Sequence, residues 1–316
     1  MQSAAWIVFW AVLGILIAIQ AIAYIVWNIA LKSPKKDQGD DHSLMDDDQI
    51  KPLAKRIHHL IDTLNAVPYE PVFVQSSDGL RLKGRYYHKQ DGAPVVICCH
   101  GYRGTPSRDF SGAAVYYREK GLNLLLIEER AHLGSEGRSI TMGVRERYDV
   151  MTWIGYLIDR FGKDTKIVLA GISMGAATVL MVSGMNPPPN VRAVIADAPF
   201  TVPKTILQNG IKNMRLPPRL IYPFLWLGAW LFGGFNLSDP TANTAKAVTR
   251  STVPILLIHG EADRIVPCEM GREIAAANPE RVELHTFPDA GHGLSYLVDT
   301  PRYQVILDGF LLRILA

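Results

Sequence analysis

Positions 3–31 carry no charged residue, and most are Ala, Ile, Leu, Val, Trp or Phe. About 20 such residues cross a bilayer, so the run predicts one transmembrane helix within residues 1–31, with some tilt. Trp6, Trp10, Tyr24 and Trp27 lie toward its ends, where aromatic rings favour the membrane interface. A cleaved signal peptide, cut near Ala21-Ile22-Ala23, is the competing reading. No Lys or Arg precedes the run, however, and it continues through Tyr24, Ile25, Val26 and Trp27, so a retained anchor is expected. Lys32, Lys35 and Lys36 follow directly. That one-sided positive charge predicts a single-pass membrane protein with its downstream domain in the cytoplasm.

Residues 32–67 form the next unit. Its first part is polar and acidic (Asp37, Asp40, Asp41, Asp46, Asp47, Asp48) and has no apolar period, which reads as a solvated tether. The carboxylates lack the Gly and Glu spacing of a calcium loop. Leu53, Ile57, Leu60, Ile61 and Leu64 then recur at helical spacing and predict a linker helix. His58 and His59 on it read as surface or packing residues.

From residue 68 to 316 the pattern changes to strands alternating with helices. Runs at 71–75 and 80–87 flank Ser77-Asp78-Gly79, a hairpin signal. Further strands are expected at 94–99, 123–127, 167–170, 191–195, 253–258 and 282–287. Helices are expected at 109–120, 144–160, from 173 onward, 269–277 and 301–315. Continuous apolar strands between helices argue a mainly parallel sheet covered on both faces. An insertion at about 201–246 breaks the rhythm. Its apolar run, 220–233, is too short to span a membrane. A cap over the active site, an interfacial segment lying on the bilayer and buried packing are the three readings, and a cap helix with some membrane contact is the one expected.

Composition narrows the function. With a net charge of +3 and no basic tract, nucleic acid is not an expected partner. The three cysteines are Cys98, Cys99 and Cys268; an odd number, two adjacent in a buried strand, fits a reducing compartment. No Cys/His spacing resembles a zinc site, and neither metal nor cofactor is expected.

The strongest chemical signal is Gly171-Ile172-Ser173-Met174-Gly175 between an apolar strand and a small-residue helix. This spacing is that of a nucleophile elbow, a sharp turn that holds a serine hydroxyl in the open above the sheet. A serine needs an imidazole base, and the base needs an anionic partner. Asp263 follows the 253–258 strand and His292 follows the 282–287 strand, which gives the order Ser, Asp, His expected of this arrangement. Glu261, Asp197 and Asp289 are rival acids, while His259 and His285 fall within strands and suit structure. The oxyanion hole requires backbone amides. Met174 N–H, just after the nucleophile, is one, and Tyr102 N–H, in the loop after the 94–99 strand, is the other. His100 is expected to pack beneath that loop, and Cys268 is a weak candidate for a reactive thiol.

Together these residues resemble the α/β-hydrolase superfamily, from about residue 71 to the C-terminus. Supporting marks are His100-Gly101, the loop Glu129-Arg-Ala-His-Leu-Gly-Ser135, Gly260-Glu-Ala-Asp263 and Gly291-His292. The chain looks most like the membrane-tethered serine hydrolases called α/β-hydrolase domain proteins, and is also similar to the prolyl-aminopeptidase-like branch. The resemblance implies an eight-stranded, mainly parallel sheet with helices on both faces, a small helical cap, and Ser173, Asp263 and His292 as triad. Relatives commonly carry Asp-x-Arg-Gly-x-Gly-x-Ser after the fourth strand; here Glu128 stands for the aspartate, and Ala131 and Leu133 replace the glycines. That departure puts the shape of the loop in question. The expected activity is hydrolysis of a lipophilic small-molecule ester or thioester at a membrane. A peptidase or amidase of the same fold is the alternative, although no acidic cluster in the cap announces a grip on a substrate terminus. A tethered binding protein that keeps the fold without the chemistry is a third reading.

Overall fold

The computed structural model describes residues 2–33, 42, 44 and 47–315. Much of the acidic tether (Asp37, Asp40, Asp41 and Asp46 with Lys35 and Lys36) lies outside the described residues.

The apolar runs form one sheet of eight strands: β1 (Glu70–Gln75), β2 (Arg81–Tyr87), β3 (Val95–Cys99), β4 (Asn123–Glu128), β5 (Ile167–Ile172), β6 (Val191–Asp197), β7 (Ile255–Gly260) and β8 (Val282–Phe287). Their order is β1-β2-β4-β3-β5-β6-β7-β8. β2 pairs antiparallel with β1 and β4, and the remaining pairings are parallel. β3 shows why its sequence is apolar throughout. Val95, Ile97 and Cys99 face one core, and Val96 and Cys98 face the other. The first core is closed by helices α4 (Glu146–Phe161), α5 (Met174–Ser183) and α9 (Cys268–Ala277), through residues such as Trp153, Val179 and Ile274. The second is closed by α3 (Pro106–Glu119) and α11 (Thr300–Leu315), through Phe110, Tyr117, Leu307 and Phe310. The linker helix is present as α2 (Ala54–Asn65), whose Leu64 joins the second core.

The loop after β4 turns through left-handed positions without glycine. Ala131 and Leu133 both take positive φ, 63° and 47°, a conformation that costs an L-residue about 1–2 kcal/mol. Surrounding bonds hold it. Arg130, almost fully buried, pairs with Asp149 of α4 at 2.6 Å and with Asp78 of the β1–β2 turn at 2.9 Å. Ser135 Oγ donates to the Glu128 carbonyl. These bonds hold Ala131 and Leu133 in a conformation that glycine would adopt freely.

Between β6 and β7 the chain forms α6 (Pro203–Asn213), α7 (Pro218–Gly228), a π turn (Ala229–Gly233) and α8 (Thr244–Val248). α8 packs onto α5, α7 and the π turn pack against α1, and α6 and α7 line the cavity above the end of β5. The apolar N-terminal run is α1 (Gln2–Ala30), of which Ala4–Ala30 is long and apolar enough to cross a membrane. Its last turns do not stand apart from the domain. Ala23, Trp27 and Leu31 are buried, and Trp27 Nε1 donates to Ser139 Oγ at 3.0 Å. At the crossing with α7, a Cβ on Gly228 would lie 2.4 Å from the Ala23 carbonyl oxygen. Glycine is what lets the two backbones approach.

Candidate active site

Three turns at the carboxyl ends of β5, β7 and β8 converge beneath the cap. At the first, β5 passes directly into α5 through Ser173, whose φ of 57° and ψ of −114° lie outside the ordinary regions. Both flanking glycines are sterically required. A Cβ on Gly171 would sit 2.3 Å from the Gly175 carbonyl, and one on Gly175 would sit 1.9 Å from the Cys99 oxygen. The strained turn lifts the Ser173 hydroxyl clear of the sheet.

At the second turn, the amides of Ile265 and Val266 each donate to Asp263 Oδ1 at 2.8 Å. These bonds fix the carboxylate and leave Oδ2 free for another donor. At the third, His292 Nδ1 lies 2.7 Å from that Oδ2, and His292 Nε2 lies 2.8 Å from Ser173 Oγ. Because the carboxylate can only accept, Nδ1 carries the proton and donates it in a hydrogen bond to Asp263, which leaves Nε2 to accept from the serine hydroxyl. Burial pushes the Asp263 carboxyl up, but His259, whose Nε2 lies 3.5 Å away, and the bond to His292 outweigh this and hold it well below the usual carboxylate range. The line Asp263–His292–Ser173 can pass a proton from hydroxyl to imidazole and stabilise the resulting cation.

The rival groups stand elsewhere. Glu261 is exposed and binds Thr286 and Arg272, and Asp289 is exposed. His285 pairs with Glu283 at the surface. His259 is buried within β7, where its Nε2 donates to the Val266 carbonyl at 3.0 Å. Asp197, at the end of β6, does line the cavity, but His292 is bonded to Asp263 instead. Burial raises Asp197 to about 7 against the pull of His259 and His292. Its Oδ1 has no hydrogen-bond partner among the described residues. Cys268 is buried and its thiol pushed up by burial, the opposite of an activated thiolate.

Tyr102 and Met174 flank the serine. Among the described residues no acceptor takes up either backbone amide. The loop carrying Tyr102 is tied on every side. Gly101 N donates to Asp109 Oδ2 at 2.7 Å, and Arg103 N donates to His132 Nε2 at 3.1 Å. His100 lies beneath it, fully buried, donating from Nδ1 to the Gly101 carbonyl and accepting the Glu129 amide at Nε2. Burial lowers its basicity, which keeps the ring neutral and suited to that pair of bonds. Asp109 and His132 escaped the sequence reading. Asp109 carried one faint signal, an acid in the first turn of a helix.

A cavity of about 570 Å³ opens above Ser173 and His292. Its walls are mainly apolar, and many come from outside the three convergent turns. Ile29 and Ala30 belong to the end of α1, and Leu44, Ile50 and Ile57 to the linker. Phe200, Leu207 and Leu225 come from the cap region, and Leu294 and Leu297 follow His292. Among the described residues, no group of three or more His, Cys, Asp or Glu side chains is placed to hold a metal ion.

With this geometry in hand, known proteins place the chain. Residues 92–305 match the model of the alpha/beta hydrolase family. The uncharacterized protein YqkD of Bacillus subtilis (strain 168) is 22% identical over 267 residues, 84% of this chain and 87% of that protein. The uncharacterized protein Rv2307c of Mycobacterium tuberculosis (strain ATCC 25618 / H37Rv) is 28% identical over 240 residues, 75% of this chain and 76% of its own. Among solved structures, the Pyrococcus furiosus esterase Pf2001 superimposes with a TM-score of 0.67 at 24% identity, covering 80% of this chain and 94% of the esterase. That likeness is one of fold. The matched span takes in β3 to β8 and all three convergent turns, and the chain belongs to the alpha/beta hydrolase family.

Proposed function

We propose that the protein is a membrane-anchored serine hydrolase that cleaves a carboxylic ester or thioester through an acyl-enzyme. The observation that carries this reading is the hydrogen-bonded line from Asp263 through His292 to Ser173. His292, oriented by Asp263, takes the Ser173 proton as Oγ attacks the acyl carbonyl. The oxyanion of the tetrahedral intermediate accepts from the amides of Met174 and Tyr102. Collapse expels the alcohol or thiol, which takes the proton from His292. Water, deprotonated by the same ring, then attacks the acyl-serine and releases the acid.

The apolar walls of the cavity support a lipophilic acyl group. The span Ala4–Ala30 supports a bilayer anchor. Lys32 on the domain side, together with three unpaired buried cysteines, supports a cytoplasmic catalytic domain. Protease added outside intact cells should then spare the domain, and its digestion would reverse that orientation.

The substrate class is tested by turnover of p-nitrophenyl esters of increasing acyl length beside aminoacyl amides, with full-length Ser173→Ala as blank. The expected result is kcat/KM that rises with acyl length and negligible amide cleavage. Preference for the amides would make the enzyme a peptidase or amidase.

A further inference from the structure

Beyond Arg219, α7 and the π turn carry no charged side chain where surface helices should have them. Tyr222, Leu225 and Ala229 point inward into the cluster that holds Trp27 of α1 and Leu31 just beyond it. Yet the outward positions are apolar as well. Leu220 and Trp230 are 66% and 58% exposed, and Trp226 and Leu231 are exposed beside them. Met214, in the connection before α7, is 63% exposed. A helix in water normally reserves that face for charge, and one apolar all round belongs in a core or a membrane. Charge in the cap is one-sided too. Between Pro203 and Ser238 there are four cations, Lys204, Lys212, Arg215 and Arg219, and no Asp or Glu.

We infer that the α6–α7 connection, α7 and the π turn form a docking surface for the anionic leaflet of the bilayer that α1 spans, and that the cavity takes its acyl substrate from that leaflet. This rests on the reading of α1 as a membrane anchor. Continuity identifies the occupant. α7 crosses α1 at Gly228 against Ala23, and Phe232 of the π turn stacks edge-on against Tyr24 at 5.2 Å and lies 5.9 Å from the Trp27 ring. The apolar outer face of the cap thus adjoins the helix that enters the lipid. Tryptophans at positions 226 and 230 suit the headgroup boundary, and the cations suit acidic headgroups.

The cavity opens on the same side. Ile29 of α1 and Met214 of the cap connection are both strongly exposed, and both line it. An acyl chain leaving the leaflet between them reaches Ser173 along apolar walls without crossing water. Substrates borne by the membrane therefore gain from the docking, and soluble ones do not.

The test uses the full-length protein in vesicles of phosphatidylcholine with a minority of phosphatidylglycerol. Trp230→Cys and, separately, Leu231→Cys carry an NBD label; the native cysteines are buried, and Val305→Cys on α11 serves as the water-exposed control. The labels at 230 and 231 should be strongly quenched by nitroxide on lipid headgroups, and the label at 305 should not. Labels at 230 and 231 as unquenched as that at 305 would overturn the inference. Shielding of 230 from aqueous iodide without lipid quenching would also overturn it, in favour of a second protein copy. Retention of the protein in the vesicles after carbonate extraction is scored apart, so loss of the anchor is distinguishable from loss of the docking surface. As a second arm, Trp230→Glu with Leu231→Glu should lower kcat/KM on a vesicle-borne long-chain ester by about tenfold while leaving a soluble short ester unchanged. Equal loss on both substrates would contradict the inference.

Discussion

The Tyr102 phenol donates a 2.5 Å hydrogen bond to the carbonyl of Ala30, the last residue of α1. Arg103 adds a second bond, to the Ile29 carbonyl at 2.6 Å. Carbonyls at the end of a helix have no partner within it, so these two are available to outside donors. The apolar helix therefore grips the loop that carries Tyr102, and Ile29 and Ala30 at the end of α1 line the same cavity as Ser173.

It follows that Tyr102→Phe should slow acylation although the phenol touches no reacting atom. One hydrogen bond of this kind contributes about 1 kcal/mol, which corresponds to about fivefold in rate. The expected signature is lower kcat with little change in KM and an unaltered pH profile, read from ester turnover and from the rate of Ser173 modification. A wild-type rate would show that the α1 contact does not position the loop.

Replacement of the two buried acids should have opposite consequences. Asp263→Asn removes the acceptor that sets the His292 tautomer, and kcat should fall by about 10⁴. Asp197→Asn touches neither bond of the relay and should cost far less activity than Asp263→Asn, although the carboxyl lines the cavity beside His292. If Asp197→Asn were the more damaging, the acid would have been misassigned.

Asp197 should instead reveal itself in stability. Its carboxyl rises from an ordinary 3.8 in the unfolded chain to about 7 in the fold. Below the unfolded value both states are protonated and the residue costs nothing through ionisation. As pH rises toward 7 the unfolded chain ionises while the buried group does not, so folding loses ground until the folded carboxyl ionises too. The full linkage is on the order of 4 kcal/mol. The Tm difference between Asp197→Asn and wild type should therefore shift in favour of the variant between pH 4 and about 7 and level off above it. A difference independent of pH would contradict the raised value.

Gly228→Val tests the joint between α1 and the cap. The new side chain would meet the Ala23 carbonyl and the Trp27 Cβ, 2.7 Å away. Overpacking of this kind costs about 1–3 kcal/mol. Tm in detergent should fall by several degrees, with less proteolytic protection at the end of α1. An unchanged Tm would mean that the contact is not tightly packed.

Different parts of the molecule were unequally legible in the sequence. The serine turn, Asp263 and His292 stand out because each lies in a short pattern at the end of an apolar strand, and strand ends are where this sheet gathers its loops. The central strands read clearly because β3 and β4 are buried on both faces and must be apolar throughout. What escaped depends on contacts between distant segments. Nothing in Gly228 itself points to Ala23, and nothing in Asp109 points to the Gly101 amide. Ala131 and Leu133 show the converse limit. They stand where relatives carry glycine and still take positive φ, because Arg130 and its two aspartates hold the loop in a conformation that the residues themselves disfavour. The lining of the cavity by α1 and the linker was equally hidden, since it arises from packing across the whole chain.

The central claim is that Ser173 is a nucleophile activated by His292. The most direct measurement is reaction of the full-length protein with a fluorophosphonate, followed by peptide mapping of the adduct. The account predicts a single adduct on Ser173, abolished in Ser173→Ala and strongly reduced in His292→Ala, with both variants folded. A folded wild-type protein that takes up no label, or an adduct that survives Ser173→Ala, would contradict it.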